Sequence, residues 1–220
     1  MNVLALKEEK IFCASCNKQI VYLTNSHCTL CGKIFPDSPA DDHLCGDCLQ
    51  SKPFYDLARS AVAYDGVMHE VILQFKYGRN IVKGTALADL LAGFIFPDID
   101  WPSFDCIIPV PLHIRRLRSR GFNQSLILAR ALGKKHHLPV EFSLLKRRKM
   151  THTQIGLNQK EREQNIKNAF EVSDPKQVAG QHIILVDDVL TTGSTVNECA
   201  KTLKKEGAAR VVVVTLARVV

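Results

Sequence analysis

Long apolar runs are missing from these 220 residues. None reaches the roughly 18 residues that a helix needs to cross a bilayer, so a helical membrane span is excluded as the expectation. A leader-like start is missing too: Val3-Leu4-Ala5-Leu6 is followed directly by Lys7, Glu8, Glu9 and Lys10, unlike a signal peptide. The expectation is a soluble, cytoplasmic protein. Two phosphate signatures are absent, G-x-x-x-x-G-K-[ST] and a G-x-G-x-x-G that follows a strand, which argues against a P-loop or a dinucleotide fold. Aromatic residues make up only 7% of the chain, and residues 111–170 hold just Phe122, Phe142 and Phe170. That scarcity weakens any reading in which this region binds nucleic acid by base stacking.

What is present is globular in kind. With 46% apolar and 23% charged residues, the chain can build a packed core. Its length fits one ordinary domain and a small appendage. The net charge of +7 is unevenly spread: residues 111–170 hold 14 Lys/Arg against 3 Asp/Glu, and the rest of the chain is net acidic. The clusters Arg115-Arg116-Leu117-Arg118-Ser119-Arg120 and Lys146-Arg147-Arg148-Lys149 dominate that stretch. A solvated charged face is the simple alternative, but like charges this close repel unless an anion relieves them.

Six of the eight cysteines form three C-x-x-C pairs: Cys13/Cys16, Cys28/Cys31 and Cys45/Cys48. Each pair places two thiolates on one tight turn, and two such turns make a tetrahedral zinc site. Without a secretory leader, metal binding is favoured over disulfides. The preferred ligand set is Cys28, Cys31, Cys45 and Cys48, because both pairs resemble zinc knuckles. Cys13 and Cys16 are an alternative pair or an incomplete second site, and His27 and His43 adjoin the knuckles as substitutes. Zinc would supply much of the folding energy of a segment this small. Cys106, in an apolar strand, and Cys199, in a helical pattern, read as core thiols.

The zinc segment is expected over residues 1–53. Beyond it, residues 60–64 read as a strand turned by Asp65-Gly66, and 67–76 and 82–96 read as helices. Residues 106–110 form an apolar strand, 123–135 a helix and 140–145 a strand. Further strands are expected over 182–186 and 210–216, with a helix over 194–206 between them. Near-continuous apolar strands alternating with helices indicate an α/β fold, a parallel sheet with helices on both faces. Between Lys146 and His182 no clear element is visible, which marks a functional loop rather than a packing device.

The most specific object is the run His182-Ile183-Ile184-Leu185-Val186-Asp187-Asp188-Val189-Leu190-Thr191-Thr192-Gly193-Ser194-Thr195. A buried strand delivers two adjacent carboxylates to its carboxyl end, where open α/β sheets bind ligands. A hydroxyl-rich turn then enters a helix, whose first N–H groups and dipole suit phosphate. Carboxylates are poor phosphate ligands but good acceptors for sugar hydroxyls, so the parts describe a sugar-phosphate site. A chance strand–turn–helix needs one capping hydroxyl; here four hydroxyls and Gly193 follow paired acids.

Residues 186–195 resemble the phosphoribosyl-diphosphate (PRPP) loop of type I phosphoribosyltransferases. With the C-x-x-C pairs, Phe75-Lys76-Tyr77-Gly78, Pro109-Val110-Pro111-Leu112 and Arg120-Gly121-Phe122-Asn123-Gln124-Ser125, nearly the whole chain resembles the ComF/GntX family of competence-associated proteins. The chain lacks a fourth C-x-x-C that members of the GntX type carry, which leaves Cys13 and Cys16 without a family role. The resemblance implies a type I phosphoribosyltransferase-like domain over 54–220 behind the zinc ribbon, with a hood-like part at 54–104 and a PRPP-binding core at 105–220. It implies that Asp187 and Asp188 hold ribose hydroxyls and that Thr191, Thr192, Gly193, Ser194 and Thr195 hold the 5-phosphate. The turn after Ile108 would be the diphosphate loop, with Arg115 and Arg120 as anion candidates, and residues 146–168 the flexible loop. The implied cofactors are structural Zn2+ and Mg2+ carried with PRPP. The implied role is in DNA uptake, either as a transferase with an unidentified acceptor or as a non-catalytic accessory protein. In the second case the partners would be single-stranded DNA and the uptake machinery, and PRPP a regulator.

Overall fold

In the computed structural model, residues 12–35, 41–78, 81–149 and 164–220 are described, with backbone alone for 81–83. Four parallel strands form the central sheet, in the order β1, β6, β5, β2. They are β1 (Leu57–Ala63), β2 (Cys106–Pro109), β5 (His182–Leu190) and β6 (Arg210–Arg218). The inner strands β5 and β6 are hydrophobic on both faces, as a sheet covered on both sides requires.

On one face lie α3 (Gly66–Tyr77), α4 (Ile81–Gly93) and α6 (Gln124–His136). Met68, Ile72 and Phe75 of α3 join Leu87 and Leu91 of α4 and Leu128 and Leu132 of α6 against Ile184, Val212 and Val214. On the other face, α7 (Ser194–Lys205) packs Val196, Cys199, Ala200 and Leu203 against Ile183, Leu185, Val211 and Val213. The alternation of neighbouring valines between the two cores is the period-2 signature of a strand.

Within the cysteine segment, Cys28, Cys31, Cys45 and Cys48 join the α7-face core, whereas Phe12 and Ile20 enter the core of the opposite face. Among the segment's described residues the regular parts are two short helices, α1 (Ala14–Asn17) and α2 (Gly46–Gln50), each beginning just after the first cysteine of a pair. The segment also covers the outer edge of the sheet: Tyr22 bridges Val62 in antiparallel sense, and the Leu23 N–H donates to the Ala61 carbonyl at 3.0 Å. An edge strand left open would invite pairing with other chains. Gly32, at φ +71°, belongs to this junction, because a Cβ there would meet the Ala58 carbonyl oxygen at 2.7 Å.

Several expected elements differ from those observed. Residues 140–145 are not a strand: Val140 makes one isolated bridge to Ile107, and the strand β3 is Leu145–Arg147. The stretch expected to lack elements contains β4 (Phe170–Val172), which pairs antiparallel with β3, and a turn of 3-10 helix at Pro175–Gln177. A further helix, α5 (Ile114–Arg120), lies within the first arginine cluster, capped at its start by the His113 side chain. Residues 150–163, the middle of the expected flexible loop, lie outside the described residues. Among the described residues no helix is long and apolar enough to cross a membrane.

Candidate functional site

β5 runs beyond the buried Val186 and carries both aspartates within its own span, where β6 still pairs with it. Asp187 accepts the Ser125 hydroxyl at 2.9 Å and the Asp188 N–H at 2.9 Å through the same oxygen, Oδ1. Burial and the adjacent Asp188 carboxylate push its pKa up to about 7, against the pull of the Asp188 N–H, Lys76 and Ser125. Asp188 is buried and holds the Lys76 ammonium, Nζ to Oδ1, at 2.9 Å. Burial works against the charge on Lys76, yet Asp188 and its hydrogen bond, with Asp187 behind, keep the ammonium above its usual pKa. The pair arises because α3 ends over the carboxyl end of the sheet and carries Lys76 in its last turn, two residues before its cap at Gly78.

Ser125 is placed by a cap. Asn123 accepts the Ser125 N–H at 3.1 Å to start α6, and its own amide donates to the Val110 carbonyl at 3.1 Å. Gln124 is buried beside it and accepts from Arg120 at 3.3 Å. The phosphate-loop candidate follows β5. Gly193 adopts φ +78° as the cap of α7, with the Thr192 and Ser194 hydroxyls 2.8 Å apart. A Cβ at Gly193 would have space, its nearest neighbours being 3.8 Å away, so it is the left-handed backbone that favours glycine here.

These parts line one cavity of about 260 Å3. Asp187, Asp188 and Lys76 line it, together with Thr191, Gly193 and Thr195. Thr192 and Ser194 line a second cavity behind the loop instead. Three arginines line the first cavity as well, Arg116, Arg120 and Arg147. Arg116 and Arg120 are one helical turn apart on α5 and so share a face. Arg147 reaches the cavity from β3, its guanidinium 5.5 Å over the Phe170 ring, and Arg120 lies 5.1 Å over Tyr77. Burial lowers the pKa of Arg116 and Arg147, and neighbouring arginines lower them further: Arg120 acts on Arg116, and Arg116 on Arg147. Cations that destabilise one another in a concave site favour a multiply charged anion there.

Of the two arginines read from the sequence as anion candidates, Arg120 lines this cavity, whereas Arg115 is exposed on the outer side of α5. The structure adds Lys76, Arg116, Ser125 and Arg147 to the site. All four fall inside sequence motifs or clusters, but only a fold brings them together.

The second site is the cysteine cluster. Cys28, Cys31, Cys45 and Cys48 are buried, and their sulfurs all lie within 4.8 Å of one another. Cys31 Sγ and Cys45 Sγ are 3.7 Å apart, close to the roughly 3.8 Å edge of a tetrahedron with 2.3 Å zinc–sulfur bonds. Cys28 Sγ accepts N–H bonds from Cys31 at 3.5 Å and Cys45 at 3.3 Å, as thiolates on knuckle turns do. Burial would raise the Cys28 pKa, but these N–H groups bring it down to about 6. Four cysteines are thus positioned to bind a metal ion. Cys13, Cys16, His27 and His43 do not belong to this cluster. Cys106 and Cys199 are buried core thiols.

Residues 118–219 match the family model described as "Phosphoribosyl transferase domain". Competence protein F of Haemophilus influenzae is 33% identical over 94% of this chain and 96% of its own length. DNA utilization protein YhgH of Escherichia coli K12 is 34% identical over 94% of this chain and 89% of its own. Competence protein ComFC of Bacillus subtilis is 29% identical over 93% and 82%. Among solved structures, a glutamine PRPP amidotransferase from B. subtilis is 20% identical with a TM-score of 0.43, covering 65% of this chain and 30% of that one. The sheet, the phosphoribosyltransferase match and the end-to-end similarity to competence proteins place the chain in the ComF family of competence-associated proteins.

Proposed function

We propose that the 260 Å3 cavity binds PRPP with Mg2+ and that the chain is a phosphoribosyltransferase-like protein acting in the cytoplasm in DNA uptake. The observation that carries the reading is the convergence of three unlike groups on one cavity: paired acids, a helix-start loop and three arginines. Asp187 and Asp188 accept the ribose hydroxyls, the loop at 191–195 takes the 5-phosphate, and Arg116, Arg120 and Arg147 face the diphosphate. The names of the relatives, competence protein and DNA utilization protein, support the biological role. In transfer, the bond from ribose C1 to the diphosphate oxygen breaks, the acceptor's lone pair forms the new bond to C1, and diphosphate leaves carrying the electron pair. Catalysis then rests on positioning and on the arginines' stabilisation of the leaving group. Zn2+ in the cysteine cluster is structural in this reading.

Calorimetric titration of PRPP, with and without Mg2+, tests it. Mg2+-assisted binding to the wild type is expected, with at least a tenfold loss in an Asp187→Asn/Asp188→Asn variant. A folded, zinc-loaded wild type that does not bind PRPP would overturn the reading. One observation favours a second role: Arg115, Arg118, Lys146, Arg148 and Lys149 are exposed, outside the cavity. A single-stranded DNA partner on that face would bind in a salt-sensitive way, and this binding would survive the double aspartate substitution.

A further inference from the structure

The cysteine cluster lies directly behind the phosphate loop. A second cavity, of about 330 Å3, has Cys31, Cys48 and Tyr55 among its lining on one side, and Thr192, Gly193 and Ser194 on the other. Two sets of contacts brace these two sides, and a third residue lies close against the loop. First, the buried Arg218 at the end of β6 donates from Nη1 to the Cys31 carbonyl at 2.6 Å and holds Nη2 3.8 Å from Cys31 Sγ. Its backbone belongs to the loop side, since Arg218 pairs with Leu190 and the Val219 N–H donates to the Leu190 carbonyl at 3.0 Å. Leu190 is the residue immediately before the loop. Second, the Phe54 N–H, on the strap leaving the cluster, donates to Asn197 Oδ1 at 2.6 Å. Asn197 in turn closes the first turn of α7 onto the Gly193 carbonyl at 2.9 Å. Third, the buried Tyr55 places its hydroxyl 3.8 Å from where a Cβ on Gly193 would stand. The four cysteines, Tyr55, Leu190 and Val196 also share one hydrophobic core.

We infer that metal occupancy of the four-cysteine centre and phosphate affinity of the 191–195 loop are thermodynamically linked, with Arg218 and Asn197 as positioning residues. The inference rests on the reading that this loop holds the 5-phosphate of PRPP. A segment as small as residues 12–53 depends on its metal to fold. Losing the metal therefore releases Cys31 from Arg218 and the strap from Asn197. The loop then loses its support from behind, and phosphate must order it on binding. Linkage is reciprocal: whatever the metal adds to PRPP affinity, PRPP adds to metal affinity.

The test measures the zinc affinity of the full-length protein at equilibrium, by competition with a chromophoric chelator, with and without saturating PRPP and Mg2+. Calorimetry on the same preparation establishes that PRPP binds. PRPP is expected to tighten zinc binding by roughly fivefold or more, the lower range of typical site–site coupling. In Asn197→Ala, which leaves the cysteines, the acids and the loop hydroxyls intact, that gain should fall toward none while zinc is still bound. A purely structural role for Asn197 would weaken zinc binding equally with and without PRPP, leaving the ratio unchanged, and would remove Asn197 from the linkage. Arg218→Lys, which keeps a cation in the buried position, should retain part of the gain. PRPP binding with no change in zinc affinity would overturn the linkage and leave the PRPP site standing. No PRPP binding to the zinc-loaded protein would remove the site and the linkage with it.

Discussion

Adjacent aspartates on one strand behave differently because their neighbours differ. Asp188 faces the Lys76 ammonium at 2.9 Å, whereas the shortest bonds to Asp187 come from a hydroxyl and an amide N–H. Asp187 is therefore the member held near pKa 7, by burial first and by its charged neighbour second. The sign is that of a carboxyl raised on folding. Its contribution to stability is full below its unfolded value near 4 and is lost as pH rises through about 7. Asp187→Asn should accordingly be more stable than wild type at pH 8, by on the order of a few kcal/mol, and melt higher, with the advantage shrinking toward pH 4. Melting curves at pH 4, 6 and 8 check this. Equal offsets at all three would mean that Asp187 titrates normally. The same proton bears on function, since a carboxylate accepts two ribose hydroxyls better than a carboxylic acid does. PRPP affinity should rise between pH 6 and 8 more steeply in wild type than in Asp187→Asn, whose remaining slope belongs to the ligand's own phosphates.

At the scale of elements, the cysteine segment is held by its metal site and by the edge of β1. Arg59 of β1 donates to Asp98 at 2.6 Å and to the Thr29 carbonyl at 3.1 Å, which clamps the first knuckle onto the sheet. One metal per chain is expected by elemental analysis. Cys31→Ser should lose it and expose the β1 edge to aggregation, whereas Cys13→Ser/Cys16→Ser should keep it. A second metal, lost in that double variant, would give the first pair a site of its own. These elements differed in how legible they were. The knuckles and the strand–turn–helix of β5 and α7 were readable because their signals are local: fixed cysteine spacing, a four-residue apolar run, and acids before a hydroxyl-rich turn. β3 and β4 were not, since three-residue strands from distant parts of the chain carry no period of their own. α5 was hidden for another reason. In seven residues with four arginines no apolar stripe shows. Without that helix, nothing in the sequence could say that Arg116 shares a face with Arg120 and that Arg115 points elsewhere. The sequence located the basic cluster, but its helical phase selects the residues that reach the ligand.

At the scale of the whole molecule, residues 54–104 and 105–220 meet in shared structure. β1 pairs with β6, and α3 and α4 enter the same core as α6. Among the described residues two ion pairs join them, Lys204–Asp56 at 2.7 Å and Lys76–Asp188 at 2.9 Å. The side chains of the second pair are 18% and 11% exposed, so both its charges are largely withdrawn from water. Removing one partner of such a pair leaves the other uncompensated and typically costs about 3–5 kcal/mol, whereas removing both costs far less. Lys76→Met alone should therefore destabilise strongly, and Lys76→Met/Asp188→Asn should recover much of the loss. Urea unfolding followed by the single tryptophan, Trp101, which stacks on His136 of α6 at 3.7 Å, reads both effects in one transition. Ligand binding separates structure from function in the same set. The double variant lacks the Asp188 carboxylate, so it should regain stability without regaining PRPP affinity. If the double variant is instead as unstable as the sum of the single ones, the two side chains do not act as a pair. α3 would then be held over the site by Phe75 and its hydrophobic neighbours, with the Gln124 amide donating to the Lys76 carbonyl at 3.5 Å.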